Sequence, residues 1–497
     1  MRSIAFEAHP EQRAVLPHLA RWLRQEKAIR SYLYVGSAQD RDYYRSHFPD
    51  SFDDIVVAPQ LHAVTSDGIH PADHMDDGVR NLAVDIETKT GTPLNHIVMA
   101  SRHLGRGYAL LGSNHPLSRE AVRTDNTTAV RRCVFGVRFW AEEIRTKNIV
   151  AVAGFSKLAA VGAAYSGVPF RQLSMARFGN YFYWADDVFG TSDTIRQRLE
   201  TLKAARETSD LAMAAPYKAY SSVVQEYAAA TRLPTTLRKM AHRIAQQLYW
   251  RLRGYAKANN YYLVEDLRYM WRFRRDGVRL SGTDAARLSD LDGTRFVFFP
   301  LSTEPELSLS QLSPEFFFQH AAIAAVSRDL PAGVRLAVKD TMFALGRRPD
   351  GFYKALADLK NVVVLNVAEQ GFDIVKQAAG VVTINGTAGF EAAVSGKPVL
   401  AFGRHNLYNG LDHVQHVESL HDLREPLRRM LSGEGTDEAA RQGPLLLRAI
   451  AETCVDGREF DLTSRDTVPT AFVEDLGRSL CQSLEFTVPD GVAVGKG

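Results

Sequence analysis

The sequence predicts an α/β protein built as two doubly wound domains facing a cleft, with a helical connecting segment. Three observations carry this. Short apolar runs alternate with helical patterns from residue 3 to about 190, and again from 295 to about 454, the signature of parallel sheets covered on both faces. Between Thr191 and Asp276 strand signals vanish, and patterns rich in Ala, Arg and aromatic residues take over. A chain of 497 residues also exceeds the roughly 250 that one core serves. The predicted divisions are an N-terminal domain at 1–190, a helical insert at 191–290, a C-terminal domain at 291–480 and a loose tail at 481–497.

In order, Ser3 to Phe6 reads as a strand, and Arg13 to Gln25 as a helix carrying Val15, Leu16, Leu19, Trp22 and Leu23 at helical spacing. Ser31 to Val35 and Asp54 to Ala58 read as further strands, as do the short runs Asn95 to Ala100 and Tyr108 to Leu111. Asn148 to Ala153 is the clearest strand of this half; Gly154-Phe155-Ser156 then leads into a helix that Gly167 and Pro169 close. The second half predicts strands at Arg295 to Phe299, Arg335 to Lys339, Val362 to Leu365, Gly380 to Ile384 and Val399 to Phe402. The intervening helices are expected at Pro314 to Ser327, Gly351 to Leu359, Gly371 to Ala378 and Gly389 to Ser395.

Composition narrows the function. With 45% hydrophobic and 24% charged residues the chain is neither disordered nor low-complexity. The 60 Lys and Arg against 57 Asp and Glu leave a formal charge of +3, too little to mark a nucleic-acid partner. Cys133, Cys454 and Cys481 form no CxxC pair, which argues against a disulfide framework or zinc ribbon and for a reducing compartment. No signal-peptide-like start and no uninterrupted apolar stretch of about 18 residues is found. The expectation is a cytoplasmic protein, with peripheral attachment to the inner membrane as its variant.

In open α/β sheets ligands sit beyond the carboxyl ends of strands, so the loops there hold the candidates. The strongest runs from Val381 to Ala392, where a buried strand turns through Asn385, Gly386, Thr387 and Ala388 into a helix. Small residues let the backbone approach a ligand, and free N–H groups at a helix start attract phosphate. Glu391 is placed to accept from ribose hydroxyls; a glycine-rich turn without a ligand is the plain alternative. The strand Phe296 to Phe299 delivers Ser302, Glu304 and Glu306, the two carboxylates flanking Pro305. Lys339-Asp340 ends another strand and offers a cation to an anionic ligand.

Glu7 and His9 follow the first strand and, with Asp67, are the candidates for the catalytic group. The Asp- and His-rich stretch Thr65 to Asp77 matches no metal motif and reads as a polar loop. Arg102, Arg106 and Arg177 lie in basic, glycine-containing loops suited to an acceptor or another anion. Arg238 to Arg275 carries ten Lys and Arg interleaved with aromatic residues. That composition suits an anionic membrane surface or RNA, against an interdomain helix pair whose aromatics pack inward.

These pieces, in this order, resemble the bacterial capsule polysaccharide biosynthesis family, which includes the Kdo transferases of capsule assembly. The resemblance runs from Arg295 to Tyr408, with echoes at Arg102 to Tyr108 and Arg177 to Trp184. It rests on Pro300-Leu301-Ser302 with Pro305-Glu306 and Ser308, on Val338-Lys339 with Gly346, Pro349 and Tyr353, and on Gly386 to Ala392 with Gly396-Lys397-Pro398, Phe402-Gly403 and Tyr408. Ser302 stands where the family has His, and Asp340-Thr341-Met342 where it has Glu-His-Pro.

The resemblance implies a glycosyltransferase of the GT-B type with two Rossmann-like domains, no cofactor and no metal, since helix N–H groups and basic side chains can hold the leaving phosphate. Its implied partners are a nucleotide-sugar donor, CMP- or UDP-linked, and a glycan or glycolipid acceptor. CMP-Kdo or a related ulosonic acid is one donor, and the departures at Ser302 and Thr341-Met342 leave others open. Carried over, Gly386, Thr387 and Ala388 meet the phosphate, Glu391 the ribose, and Lys339 the phosphate or a sugar carboxylate. Two other readings stand beside it: a UDP-sugar 2-epimerase-like enzyme, and a catalytically inactive glycan-binding assembly factor.

Overall fold

The computed structural model describes residues 2–58, 75–101, 124–213, 220–254, 262–282, 285–303, 307–433, 435–457, 460 and 468–485. Its strands are β1 (Ser3–Glu7), β2 (Arg30–Val35), β3 (Asp54–Val57), β4 (Ile149–Ala153), β5 (Phe170–Met175), β6 (Tyr181–Ala185), β7 (Phe296–Pro300), β8 (Arg335–Lys339), β9 (Val362–Leu365), β10 (Gly380–Thr383), β11 (Val399–Ala401), β12 (Val414–His416) and β13 (Val455–Asp456). They form two sheets, β13-β6-β5-β4-β1-β2-β3 and β12-β11-β10-β7-β8-β9. The second is parallel throughout. The first is parallel from β5 to β3 and antiparallel across β5, β6 and β13. These are two doubly wound, Rossmann-like domains, as the sequence predicts.

Local chemistry explains the elements. The central strands are apolar on both faces: Ile4, Ala5 and Phe6 in β1, and Val297, Phe298 and Phe299 in β7, are all but inaccessible, because helices cover each sheet from both sides. The helix Val15–Lys27 buries Val15, Leu16, Leu19, Ala20 and Leu23 on one stripe. Ser37, Asp125, Ser156 and Ser192 each accept a backbone N–H three residues on, capping the helices they precede.

Three expectations change, and one feature is new. Asn95 to Ala100, expected as a strand, lies in the helix Leu94–Ala100, which turns Leu94, Ile97 and Val98 inward; a short apolar run carries no period to separate the two. The predicted insert boundary at 191 falls inside the C-terminal fold: Ile195, Leu199 and Leu202 of the helix Asp193–Ala204 share a core with Phe390, Leu445 and Ile450. The predicted C-terminal domain at 291–480 ends early instead. β13 pairs with β6, and the helix Thr470–Ser483 puts Phe472, Leu476 and Leu480 into a core with Ile4, Leu19 and Phe182 of the N-terminal domain. The β5–β6 hairpin, unanticipated, joins the two halves, since Ala176, Tyr183 and Ala185 pack into the C-terminal core. Tyr108 to Leu111 and most of the expected loose tail lie outside the described residues.

Candidate functional site

In each sheet the strand order reverses direction at one point, between β1 and β4 in the first and between β7 and β10 in the second. Crevices open there, and the candidate loops lie at both. In the C-terminal domain β10 ends at Thr383, whose hydroxyl accepts from Gly386 N–H at 3.0 Å. The helix then begins at Thr387, two residues before the predicted start, with Gly386 as a cap that has no side chain to satisfy its N–H groups. Asn385 is buried, donating Nδ2 to Ser313 Oγ at 2.9 Å. Asn406 Nδ2 donates to the carbonyls of Ile384 and Gly403 at 3.0 and 2.8 Å, fastening the turn from behind.

The glycines of this turn are required for space. A β-carbon at Gly389 would lie 2.5 Å from Thr383 Cγ2 and 2.6 Å from Tyr408 Oη, whereas one at Gly371 would meet nothing. Gly389→Ala is therefore expected to lose about 1–3 kcal/mol of stability by overpacking, and Gly371→Ala almost none. Urea midpoints of the two variants measure the contrast.

Beside the turn stands a buried charge cluster. Lys339, at the end of β8, is buried, and burial pulls its ammonium down to about 8 against the raising influence of Asp340, Glu369 and Glu391. Glu391 is itself buried, so the two residues assigned separate roles by sequence share one electrostatic environment. Asp340 faces the other way. Its carboxylate accepts from Arg348 Nε at 2.8 Å and Nη2 at 2.9 Å, from Tyr353 Oη at 2.7 Å and from Thr341 N–H at 2.7 Å. Arg348 also donates to the Ser302 carbonyl at 2.7 Å, while Gln319 clamps the Ser302 N–H and C=O at 2.7 and 2.9 Å. Ser302 is thus held by its backbone. Glu304 and Glu306 lie outside the described residues.

At the N-terminal crevice Glu7 Oε2 accepts from Phe155 N–H at 3.0 Å and Ser156 N–H at 2.9 Å, tying β1 to the loop after β4. Burial pushes its carboxyl up, and the hydrogen bonds from Ser156 and Phe155 pull it back. His9 packs edge-on against Phe155 and accepts the Glu11 N–H through Nδ1 at 3.3 Å. Burial holds its imidazole below the ordinary range, hence neutral near pH 7, with the proton on Nε2. Arg177 reaches across the cleft, donating Nη1 to the Asn385 carbonyl at 3.1 Å from a backbone at φ +60°. Asp67, Arg102 and Arg106 lie outside the described residues.

His9, Arg177 and Asn385 together line a cavity of about 380 Å³ between the domains. Two groups in or beside it were not assigned from sequence. Tyr408 lines the cavity and is buried, its Oη having no hydrogen-bond partner among the described residues. Lys157 is buried with its Nζ 5.2 Å from the Phe189 ring, on which His405 stacks at 4.2 Å. Burial lowers this ammonium, against the attraction of Glu315. Tyr408 is part of the family resemblance, but nothing in the sequence marks it or Lys157 as buried beside the cavity, because burial is set by the fold.

Residues 201–433 match the family model described as capsule polysaccharide biosynthesis protein, a stretch that contains the resemblance read from Arg295 to Tyr408. No curated protein matches the chain in sequence. Among solved structures, the chain is similar to the MnaA–UDP complex of S. aureus at 9% identity, covering 99% of this chain and 100% of that one with a TM-score of 0.29. It is similar to the glycosyltransferase SnogD from Streptomyces nogalater at 11% identity, covering 97% and 99% with a TM-score of 0.28. KpsC of Thermosulfurimonas dismutans, a beta Kdo 2,4 transferase, is 15% identical over 61% of this chain and 88% of its own, with a TM-score of 0.28.

Proposed function

With residues 201–433 matching the capsule polysaccharide biosynthesis family, we propose that the chain is a glycosyltransferase of the GT-B type, moving a sugar from a nucleotide-activated donor to a bacterial surface polysaccharide or lipid-linked glycan. The observation that carries this is the uncapped helix start at Gly386 to Ala388, set at the strand-order reversal of the C-terminal sheet beside the interdomain cavity. There the N–H groups of Thr387 and Ala388 receive the donor phosphate, with the Tyr408 hydroxyl as a further donor. Lys339 adds positive potential from beneath, and Glu391 both balances it and accepts from the ribose. The leaving phosphate is stabilised by these fixed dipoles and charges, with no metal.

The acceptor enters from the N-terminal side. His9 offers Nε2–H to an oxygen of the substrate, and Glu7 holds the Phe155–Ser156 loop that shapes this wall. Arg177 and Lys157 draw the anionic groups of donor or acceptor into the cleft. CMP-linked ulosonic acids and UDP-linked sugars are the two donor classes that suit such a site.

Thermal unfolding with CMP, CDP, UDP, GDP, ADP and dTDP tests the reading. A nucleotide at a hundred times its dissociation constant stabilises by about 2.7 kcal/mol. The expected result is stabilisation by CMP or UDP that largely disappears in Glu391→Gln. If no nucleotide shifts the transition, the donor site is not where we place it. If a nucleotide binds and its sugar is turned over without any acceptor, the protein is an epimerase-like enzyme instead.

A further inference from the structure

The helix Leu233–Leu252 turns a row of aliphatic side chains to solvent. Leu237, Ile244, Leu248 and Leu252 are 48–78% exposed, and Leu233 is 41% exposed. At about 100° per residue, these five positions fall within an arc of roughly 100° on one helix face. Such a stripe faces the core in an ordinary globular helix; here it faces outward. The antiparallel neighbour, Leu263–Leu280, repeats the arrangement with Val264, Trp271 and Val278, spaced seven apart and about half exposed. Arg243 binds Asp266 at 2.6 Å and fixes the two helices together.

The charges around the stripe indicate its partner. No Asp or Glu occurs between Leu233 and Gly254, whereas Arg238, Lys239, Arg243, Arg251 and Arg253 do. Only Arg243 of these five forms an ion pair among the described residues. Arg238 and Arg251 fall at opposite edges of the aliphatic arc, where long side chains reach past an apolar surface to charges beyond it. We propose that this helix pair docks on an anionic lipid surface, with the leucine stripe at the boundary of headgroups and acyl chains and the flanking cations on lipid phosphates. A second copy of the chain is the poorer occupant, because a two-fold contact would set the same unpaired arginines against one another. The aliphatic stripe carries the contact. The aromatic residues Tyr227 and Phe273 instead pack together, with ring centroids 5.6 Å apart.

Co-sedimentation with vesicles of phosphatidylcholine alone, or mixed with phosphatidylglycerol, tests this at low and raised salt. The protein is expected to pellet with the anionic vesicles, remain in solution with the neutral ones, and be partly released by salt. The double variant Leu248→Asp/Leu252→Asp is expected to partition roughly tenfold less or worse. Its unchanged thermal transition shows that it folds; Arg251→Ala/Arg253→Ala, which leaves the stripe intact, should weaken binding to anionic vesicles in the same direction. Equal pelleting with both vesicle types, no pelleting at all, or an unaffected Asp variant would overturn the proposal. So would a dimer in analytical ultracentrifugation that the Asp variant dissociates without any vesicle binding, which would give the face to a second copy.

Discussion

Replacing Asp340 with alanine is expected to cost about 3–5 kcal/mol of stability, because it leaves a buried guanidinium without its counter-ion. Arg348 and Asp340 are each 1% exposed, and water cannot replace the lost carboxylate. The same carboxylate also receives Tyr353 Oη and the Thr341 N–H, so with the two from Arg348 four donors lose an acceptor at once. Urea denaturation at neutral pH measures the loss. Removing both charges, as in Asp340→Leu/Arg348→Met, is expected to cost less than the single change, since an apolar pair carries no desolvation penalty. A single-variant loss below about 1 kcal/mol would mean that Arg348 finds another partner.

Lys339 is expected to move stability and nucleotide affinity in opposite directions with pH. Burial depresses its folded-state value from 10.5 to about 8. Below pH 8 both the folded and unfolded chains hold the proton. Between about 8 and 10.5 the unfolded chain holds it while the folded one has released it, so stability rises with pH through that window. The full effect is on the order of 3 kcal/mol. Over the same range the site loses the Lys339 charge while Arg177 keeps its own, and affinity for the nucleotide phosphate should fall. Lys339→Met is expected to remove this contribution and make the stability slope in the window clearly shallower, the remainder coming from groups such as Lys157, whose ammonium burial also lowers, and to bind nucleotide weakly at every pH. Stability profiles by urea titration and affinities by calorimetry read the two curves; parallel rather than opposed trends would separate Lys339 from the phosphate.

The alternation of strands and helices was legible because parallel strands in a covered sheet must be apolar on both faces, as in Ile4 to Phe6 and Val297 to Phe299. The β5–β6 hairpin escaped notice because Arg171, Gln172 and Ser174 leave β5 half-polar, and its turn was read as a basic ligand loop. β13 is two residues long and carries no pattern at all; only tertiary pairing makes it a strand. For the proposed site, the rule that ligands gather beyond strand ends singled out Asn385 to Ala388 and His9, and a basic, glycine-containing loop singled out Arg177; the structure sets Asn385, His9 and Arg177 along one cavity. It could not separate Lys339 from Asp340. One is a charge beside the proposed phosphate site and the other an anchor for Arg348, a difference that depends on which way each side chain leaves the end of β8. Tyr408 was legible as part of the resemblance, but its place at the site, like that of Lys157, follows only from burial.

The return of the chain to its first domain has a consequence during synthesis. The ribosome delivers β1 to β6 early, but the edge of β6 stays unpaired until Val455–Asp456 emerges. Trp22 likewise waits for the helix Thr470–Ser483, whose Gly477 leaves room for its ring. Trp184 waits as well for the Leu476 carbonyl that accepts its indole N–H at 3.1 Å. Throughout translation of the second domain the nascent first domain therefore presents an open strand edge and uncovered aromatic surface, the features that recruit chaperones or seed aggregation. A premature stop just beyond residue 454 would spare most of the half that it shortens and unsettle the half already made.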